Sequence, residues 1–406
     1  MRLRRQVVLC GLVLVIARWS IAEEDSLSPG DRVTVSNAGH SAACGPDTDA
    51  DATEGWTRIV PNPVTIDGHL YTPTCSNAPG TTPTFSFFFR KGTADGLVVF
   101  FNGGGSCWND ETCSKPRLAG DRANFSGKDN QGPAEVYKAQ LLPGDGPAQM
   151  TGLLDRSDSR NPVRDWSMVF VPYCTGDVHS GSNTAHYKYP GTDKPFTIEH
   201  RGWDNMQVIL HWMRSEVARP AQLLVAGSSA GAYGAATHYA SVRAMFPEAR
   251  SVFLGDSGQG VTTPEFEQGR NLNWNYQLPH SVFGSHAQNT PDREVVARLA
   301  GHFPKDRFGQ VTFVRDATQT AFYAQMAPKP DQLSWTHKML QELTNRQAAP
   351  NFRSYVAAGE THTILRATIF FTEQSGGQPF TTWLGALLKD DQLPGNQICP
   401  NCDPAQ

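Results

Sequence analysis

The clearest chemical pattern in the chain is Gly227-Ser228-Ser229-Ala230-Gly231, which fits G-x-S-x-G. It follows the apolar run Leu223-Leu224-Val225-Ala226 and precedes a segment from Ala232 to Tyr239 that can be helical. Strand, sharp turn and helix are what a nucleophile elbow requires, with the two glycines letting the strained turn close. Ser229 is therefore the candidate nucleophile, and the competing reading is a plain Gly/Ser turn. A serine hydroxyl needs an imidazole to take its proton and a carboxylate to orient that imidazole. In elbow enzymes the chain order is Ser, acid, His. His238, His280, His286, His302, His337 and His362 all follow Ser229. His238 falls too far along the helix that Ser229 starts. His362 follows the last good strand candidate, Arg353 to Val356, through a short loop and is preferred; His337 is the runner-up, in surroundings that read as a packed helix start. Asp256 and Asp316 each end an apolar run. Asp316 is preferred for its late position, while Asp256, in Gly255-Asp256-Ser257-Gly258, reads equally as a turn former that braces the site.

Acyl transfer also needs donors aimed at the developing oxyanion. Asn102-Gly103-Gly104-Gly105-Ser106 follows the buried-type run Leu97 to Phe101, where this kind of fold supplies one or two backbone N–H groups. The amide after the nucleophile, that of Ala230, is the second donor. No Gly-Lys-Ser/Thr follows the glycines, which excludes a phosphate loop.

The elements that must hold these residues are legible as alternating patterns. Strand candidates are Phe85–Phe89, Leu97–Phe101, Ser167–Val171, Gln222–Ala226, Ser251–Leu254, Gln310–Val314 and Arg353–Val356. Between the third and fourth, Met206, Ile209, Leu210, Met213 and Val217 recur at helical spacing. Continuous apolar strands alternating with helices predict an α/β fold with a mainly parallel sheet covered on both faces. The polar stretches 110–165 and 260–310 exceed ordinary connections and are expected to form lids or walls around a site.

At 406 residues the chain is long enough for one large domain with a deep core, and its 10% aromatic content excludes wholesale disorder. A net charge of −4 argues against a nucleic-acid binder, and a mean hydropathy of −0.41 against a polytopic membrane protein. Residues 1–22 have the basic start, apolar stretch and small-x-small end of a secretory signal. Its removal deletes four arginines and no acid and leaves −8. The expected product is exported, extracellular or periplasmic, with no stable membrane insertion. Residues 23–53 read as a flexible polar lead-in, 54–395 as the catalytic domain and 396–406 as a tail. Seven cysteines then remain, and in an exported chain they are disulfide candidates, with Cys399 and Cys402 read as a local pair. Asn124-Phe125-Ser126 is a glycosylation sequon. No cofactor is expected, and no His-x-x-x-His or carboxylate cluster suggests a metal.

Phe101-Asn102-Gly103-Gly104-Gly105-Ser106-Cys107-Trp108-Asn109, Val171-Pro172-Tyr173-Cys174-Thr175-Gly176-Asp177, Gly227 to Gly231 and Asp256-Ser257-Gly258 together resemble the pectin acetylesterase/Notum family. The resemblance covers roughly residues 54 to 370. It implies a secreted α/β-hydrolase carboxylesterase with Ser229 as nucleophile. Asp316-Ala317-Thr318-Gln319 matches the family's Asp-x-x-Gln acid and His362 its histidine, with Gly104, Gly105 and Ala230 as oxyanion donors. It also suggests Cys107–Cys113 and Cys75–Cys174 as disulfides. The chain departs from the family in the segment before the histidine, Ala357 to Thr361, which lacks the cysteine common there. The implied partner is an acylated carbohydrate or another ester, not a nucleic acid; Trp108 and Tyr233 are the candidate substrate contacts.

Overall fold

The computed structural model describes residues 55–118, 137–326, 335–389, 392–400 and 402. The expected signal and lead-in, Cys10, Cys44 and the sequon at Asn124 lie outside these residues. Nine strands make one sheet: β1 (Thr57–Ile59), β2 (Phe87–Arg90), β3 (Gly96–Phe101), β4 (Ser167–Val171), β5 (Gln222–Ser228), β6 (Arg250–Asp256), β7 (Arg307–Phe313), β8 (Phe352–Ala357) and β9 (Gln397–Ile398). Their order across the sheet is β1-β2-β4-β3-β5-β6-β7-β8-β9. The first two pairings are antiparallel, and every pairing from β4 to β9 is parallel. The expected mainly parallel sheet is present. It reaches past residue 395, because the two residues of β9 pair with β8.

Successive side chains of a strand point to opposite faces, so an apolar run feeds two cores at once. In β3, Leu97, Val99 and Phe101 enter one core and Val98 and Phe100 the other. The first core is covered by helices α1 (Gly202–Glu216), α2 (Ala230–Met245), α3 (Pro264–Trp274), α4 (Asp292–His302), α5 (Ala317–Met326) and α6 (Trp335–Arg346); the second by α7 (Phe380–Leu388) with Ile364, Leu365 and Phe370. α1 turns Met206, Ile209, Leu210 and Met213 inward, the face its spacing predicts. The long 260–310 stretch is not loop but mostly helix, containing α3 and α4.

The parallel register brings several strand ends to one edge. Phe101 lies opposite Gly227, Ser228 opposite Asp256, Asp256 opposite Val311, and Phe313 opposite Ala357. The loops leaving β3, β5, β6, β7 and β8 therefore emerge side by side at the carboxyl edge of the sheet, where sites of open α/β sheets are built. Among the described residues three disulfides are formed: Cys75–Cys174, Cys107–Cys113 and Cys399–Cys402. Among the described residues no helix is long and apolar enough to cross a membrane.

Candidate active site

Ser229 stands between β5 and α2 with φ 58° and ψ −126°, a strained conformation for a residue with a side chain. The flanking glycines permit it. A Cβ on Gly227 would strike the carbonyl of Gly231, and one on Gly231 would strike the carbonyl of Phe101. The Ser229 amide donates to the Asp256 carbonyl at 2.7 Å, which anchors the turn to the neighbouring strand. α2 begins at Ala230, so the first amides of the helix, which have no partner within it, face the serine.

The glycine turn presses against this elbow, since a Cβ on Gly103 would strike the Ser228 carbonyl and the Ser229 Cβ. Its three amides are not equivalent. The Gly103 amide donates to Asn102 Oδ1 at 3.0 Å, whereas those of Gly104 and Gly105 make no hydrogen bond within the chain. Asn102 is itself fixed from two directions: Arg366 Nη1 donates to its Oδ1 at 2.7 Å, and His179 Nε2 lies 2.8 Å from its carbonyl. The carbonyl can only accept, so His179 carries its proton on Nε2. Burial lowers the His179 imidazole to about 4, which keeps it neutral. The turn that delivers His179 is held by Asp177, whose carboxylate accepts from the amides of His179, Gly181 and Gly202 and from Thr175 Oγ1. Burial pushes Asp177 up to about 6 despite these donors.

Asp316 and His362 meet directly. His362 Nδ1 lies 2.8 Å and 3.0 Å from the two carboxylate oxygens of Asp316, and both residues are buried. Their loops are joined as the strands before them are. The amides of Val314, Arg315 and Ala317 donate to the carbonyls of Ala357, Gly359 and Glu360. Gln319 returns its amide to Asp316 Oδ1 and its Nε2 to the Ser257 carbonyl. Asp256 holds the far side of the histidine loop: its Oδ2 accepts from Ser228 Oγ at 2.7 Å, Ile364 N at 2.9 Å and Leu365 N at 3.0 Å. Ser257 Oγ accepts the amide of Thr363. Asp256 thus ties elbow to histidine loop without bonding the imidazole, and burial raises its carboxyl. No hydrogen bond joins His362 to Ser229 Oγ in this structure; such bonds are often long in a free enzyme and tighten with substrate. Five of the eight described non-glycine residues with positive φ, namely Val178, His179, Ser229, Ser257 and Thr363, belong to this edge.

A small pocket opens at Ser229. Gly105, Ala230 and Tyr233 line it beside the serine, Val178, Phe266, Phe322 and Met326 supply apolar walls, and Thr262, Asp292 and Gln319 polar ones. Trp108 does not reach it: its ring is buried and packs edge-on against Phe266 at 5.1 Å, one layer behind the wall. His238 is buried and bonds the His179 carbonyl at 2.7 Å, and the His280, His302 and His337 side chains are exposed elsewhere. The pocket wall residues Phe266, Asp292, Phe322 and Met326 carry no motif and were not legible in the sequence. For His179 the only signal was its place two residues after Asp177. Cys107, Cys113 and His200 are grouped like metal ligands, but the two sulfurs are joined to each other.

A model of the pectinacetylesterase family matches residues 74–320, more than half of the chain. The matched stretch contains the glycine turn, Ser229 and Asp316 and ends before His362. Among solved structures, that of the Wnt deacylase Notum from Drosophila is similar at a TM-score of 0.56 and 17% identity, over 84% of this chain and 98% of that one. At that identity the likeness speaks for the shared α/β-hydrolase fold. No curated protein matches the chain. The extent of the family match, on this scaffold, means that the chain belongs to the pectinacetylesterase family.

Proposed function

We propose that this protein is an exported serine carboxylesterase that removes O-acetyl groups from a polysaccharide. The observation that carries the reading is the Asp316–His362 pair at the same sheet edge as a strained Ser229, beside two amides with no partner of their own. His362, its Nδ1 proton held by Asp316, takes the Ser229 proton as Oγ bonds to the ester carbonyl carbon. The amides of Gly104, Gly105 and Ala230 hold the oxyanion. The carbon–oxygen bond to the alcohol breaks as His362 returns the proton to the leaving oxygen. Water then attacks the acyl-enzyme by the same route, freeing the acid and Ser229. Tyr233 contacts the substrate beside the nucleophile, while Trp108 supports Phe266 from behind.

The family name points to acetyl groups on pectin. The negative charge of the chain suits a neutral or esterified glycan better than a free polyuronate. Three disulfides agree with an oxidising compartment. A second reading, an esterase for a larger acyl group or a polyester, is favoured by the apolar walls that Val178, Phe266, Phe322 and Met326 place beside Ser229. Fluorophosphonate labelling, with turnover of acetyl and longer-chain 4-nitrophenyl esters, tests the proposal. The wild type should label and Ser229→Ala should not, with turnover down by roughly 10⁴-fold or more. A folded, oxidised wild type that neither labels nor turns over any ester would instead be a binding protein on a hydrolase scaffold.

A further inference from the structure

The polar part of the pocket contains an acceptor that the chain itself does not satisfy. Asp292, at the start of α4, is 7% exposed and lines the same pocket as Ser229. Both of its buried partners converge on one oxygen: Arg270 Nη1 lies 2.9 Å from Oδ1, and Tyr276 OH donates to Oδ1 at 3.3 Å. No hydrogen bond reaches Oδ2. The Asp292 amide is held by Glu267 Oε1, which also accepts from Thr262 Oγ1, so the backbone that carries the carboxylate is anchored. Asp292 and Tyr276 also line a second, small cavity together with Gln259 and Arg346, whose Oε1 and Nε are buried without partners. Asp292 therefore borders both the pocket at Ser229 and a polar cavity.

We infer that the pocket accommodates, beyond an acetyl group, a short acyl group bearing a hydroxyl, which donates to Asp292 Oδ2. This rests on the esterase reading above and names the acyl class for the same site. A bound acetyl group leaves Oδ2 open to solvent. A longer alkyl chain shuts solvent out and offers nothing in return, leaving a carboxylate oxygen unpaired. A hydroxyl shuts solvent out equally and supplies a hydrogen bond in its place. The charge of the carboxylate is already met by Arg270, so the open oxygen asks for a neutral donor and not for a second cation. Esters of hydroxy acids, including the ester links of a hydroxyacid polyester, have this chemistry.

The test compares 4-nitrophenyl acetate, butanoate and 3-hydroxybutanoate on the full-length oxidised protein. The wild type should prefer hydroxybutanoate over butanoate by at least about tenfold in kcat/KM, well short of the roughly 10⁴-fold that a fully enclosed hydroxyl site reaches. Asp292→Asn, whose amide can still bond a hydroxyl, should narrow the ratio, and the paired Asp292→Leu with Arg270→Met, which leaves no lone buried charge, should bring it to about one. Because each ratio is internal to one enzyme, partial loss of folded protein does not change it. Equal use of the two esters by the wild type, or a preference that persists in both variants, overturns the inference while acetate turnover keeps the esterase reading. Failure on all three esters with Ser229 unlabelled overturns both.

Discussion

The two sides of the pocket are built differently. On the catalytic side, the loops leaving five adjacent parallel strands are stitched together by hydrogen bonds. Asp256 joins elbow to histidine loop, the 314–317 segment pairs with 357–360, and His179 pins Asn102. On the opposite side, Phe266 and Asp292 come from α3 and α4 of the 260–310 stretch and Phe322 and Met326 from α5, and they meet largely through packing and one buried ion pair. A network of strained backbone and shared acceptors fixes positions to the tolerance that acyl transfer demands. A packed wall sets only size and polarity, and can vary without disturbing the chemistry. Substitutions on the first side should therefore lower turnover of every ester alike, and those on the second should change which ester is preferred.

After Ser229→Ala, the largest effect on this side should come from Asp316→Asn. It removes the charge that holds His362 and favours the wrong tautomer, so kcat should fall by roughly 10³- to 10⁴-fold for all esters. Asp256→Asn should cost less, on the order of tenfold, because an amide oxygen still accepts from part of the set that Asp256 now satisfies. Steady-state kinetics on acetate and butanoate esters checks both. If Asp256→Asn proved as damaging as Asp316→Asn, Asp256 would be acting on the imidazole itself and not through the loop.

On the wall side, Phe322→Ala enlarges the pocket without touching the catalytic loops. Turnover of the acetyl ester should stay within about threefold, while esters with longer alkyl chains gain about tenfold, the discrimination that one or two methylenes carry in an apolar pocket. A uniform loss across chain lengths would mean that the wall also positions the nucleophile, and the contrast between the two sides would dissolve.

The same division explains what could be read from the sequence. The placement of the Ser229 side was legible because parallel-sheet geometry writes itself locally. The apolar runs of β3 and β5 mark buried strands, and the glycines at 103–105, 227 and 231 stand where backbone meets backbone. Asp316 and His362 sit just past the ends of β7 and β8, so chain order alone narrowed them. Asp256 remained ambiguous because the same position suits a brace or a triad acid, and only its partners distinguish them. The wall was not legible. Phe266 and Trp108 are both large aromatics near site motifs, and which of the two faces the pocket depends on how α3 packs. Asp292 sits at a helix start, where an acid is ordinary, and its role depends on Arg270 and Tyr276 arriving from elsewhere. The two-residue β9 is too short to leave a pattern at all.

The smallest expected effect is on stability, and it tests how firmly the catalytic side is locked. His238 lies under the glycine turn, stacked on Phe101, with Nε2 on the His179 carbonyl. Burial lowers its imidazole to about 3, from an ordinary value near 6.5. Between those two values the unfolded chain binds a proton that the folded chain refuses. Its contribution is therefore fully present above about pH 6.5 and is lost as the pH falls toward 3. His238→Phe removes this titration while keeping an aromatic ring against Phe101. The variant should start somewhat less stable at pH 7.5, because the His179 carbonyl loses its donor. Its stability should then fall less steeply on acidification, by up to about 1.4 kcal/mol per pH unit, the value of one proton. Thermal melts of both proteins from pH 7.5 to 4 measure the difference in slope. Parallel curves would mean that the turn opens and lets His238 protonate in the folded state, and that the catalytic side is looser than its hydrogen bonds imply.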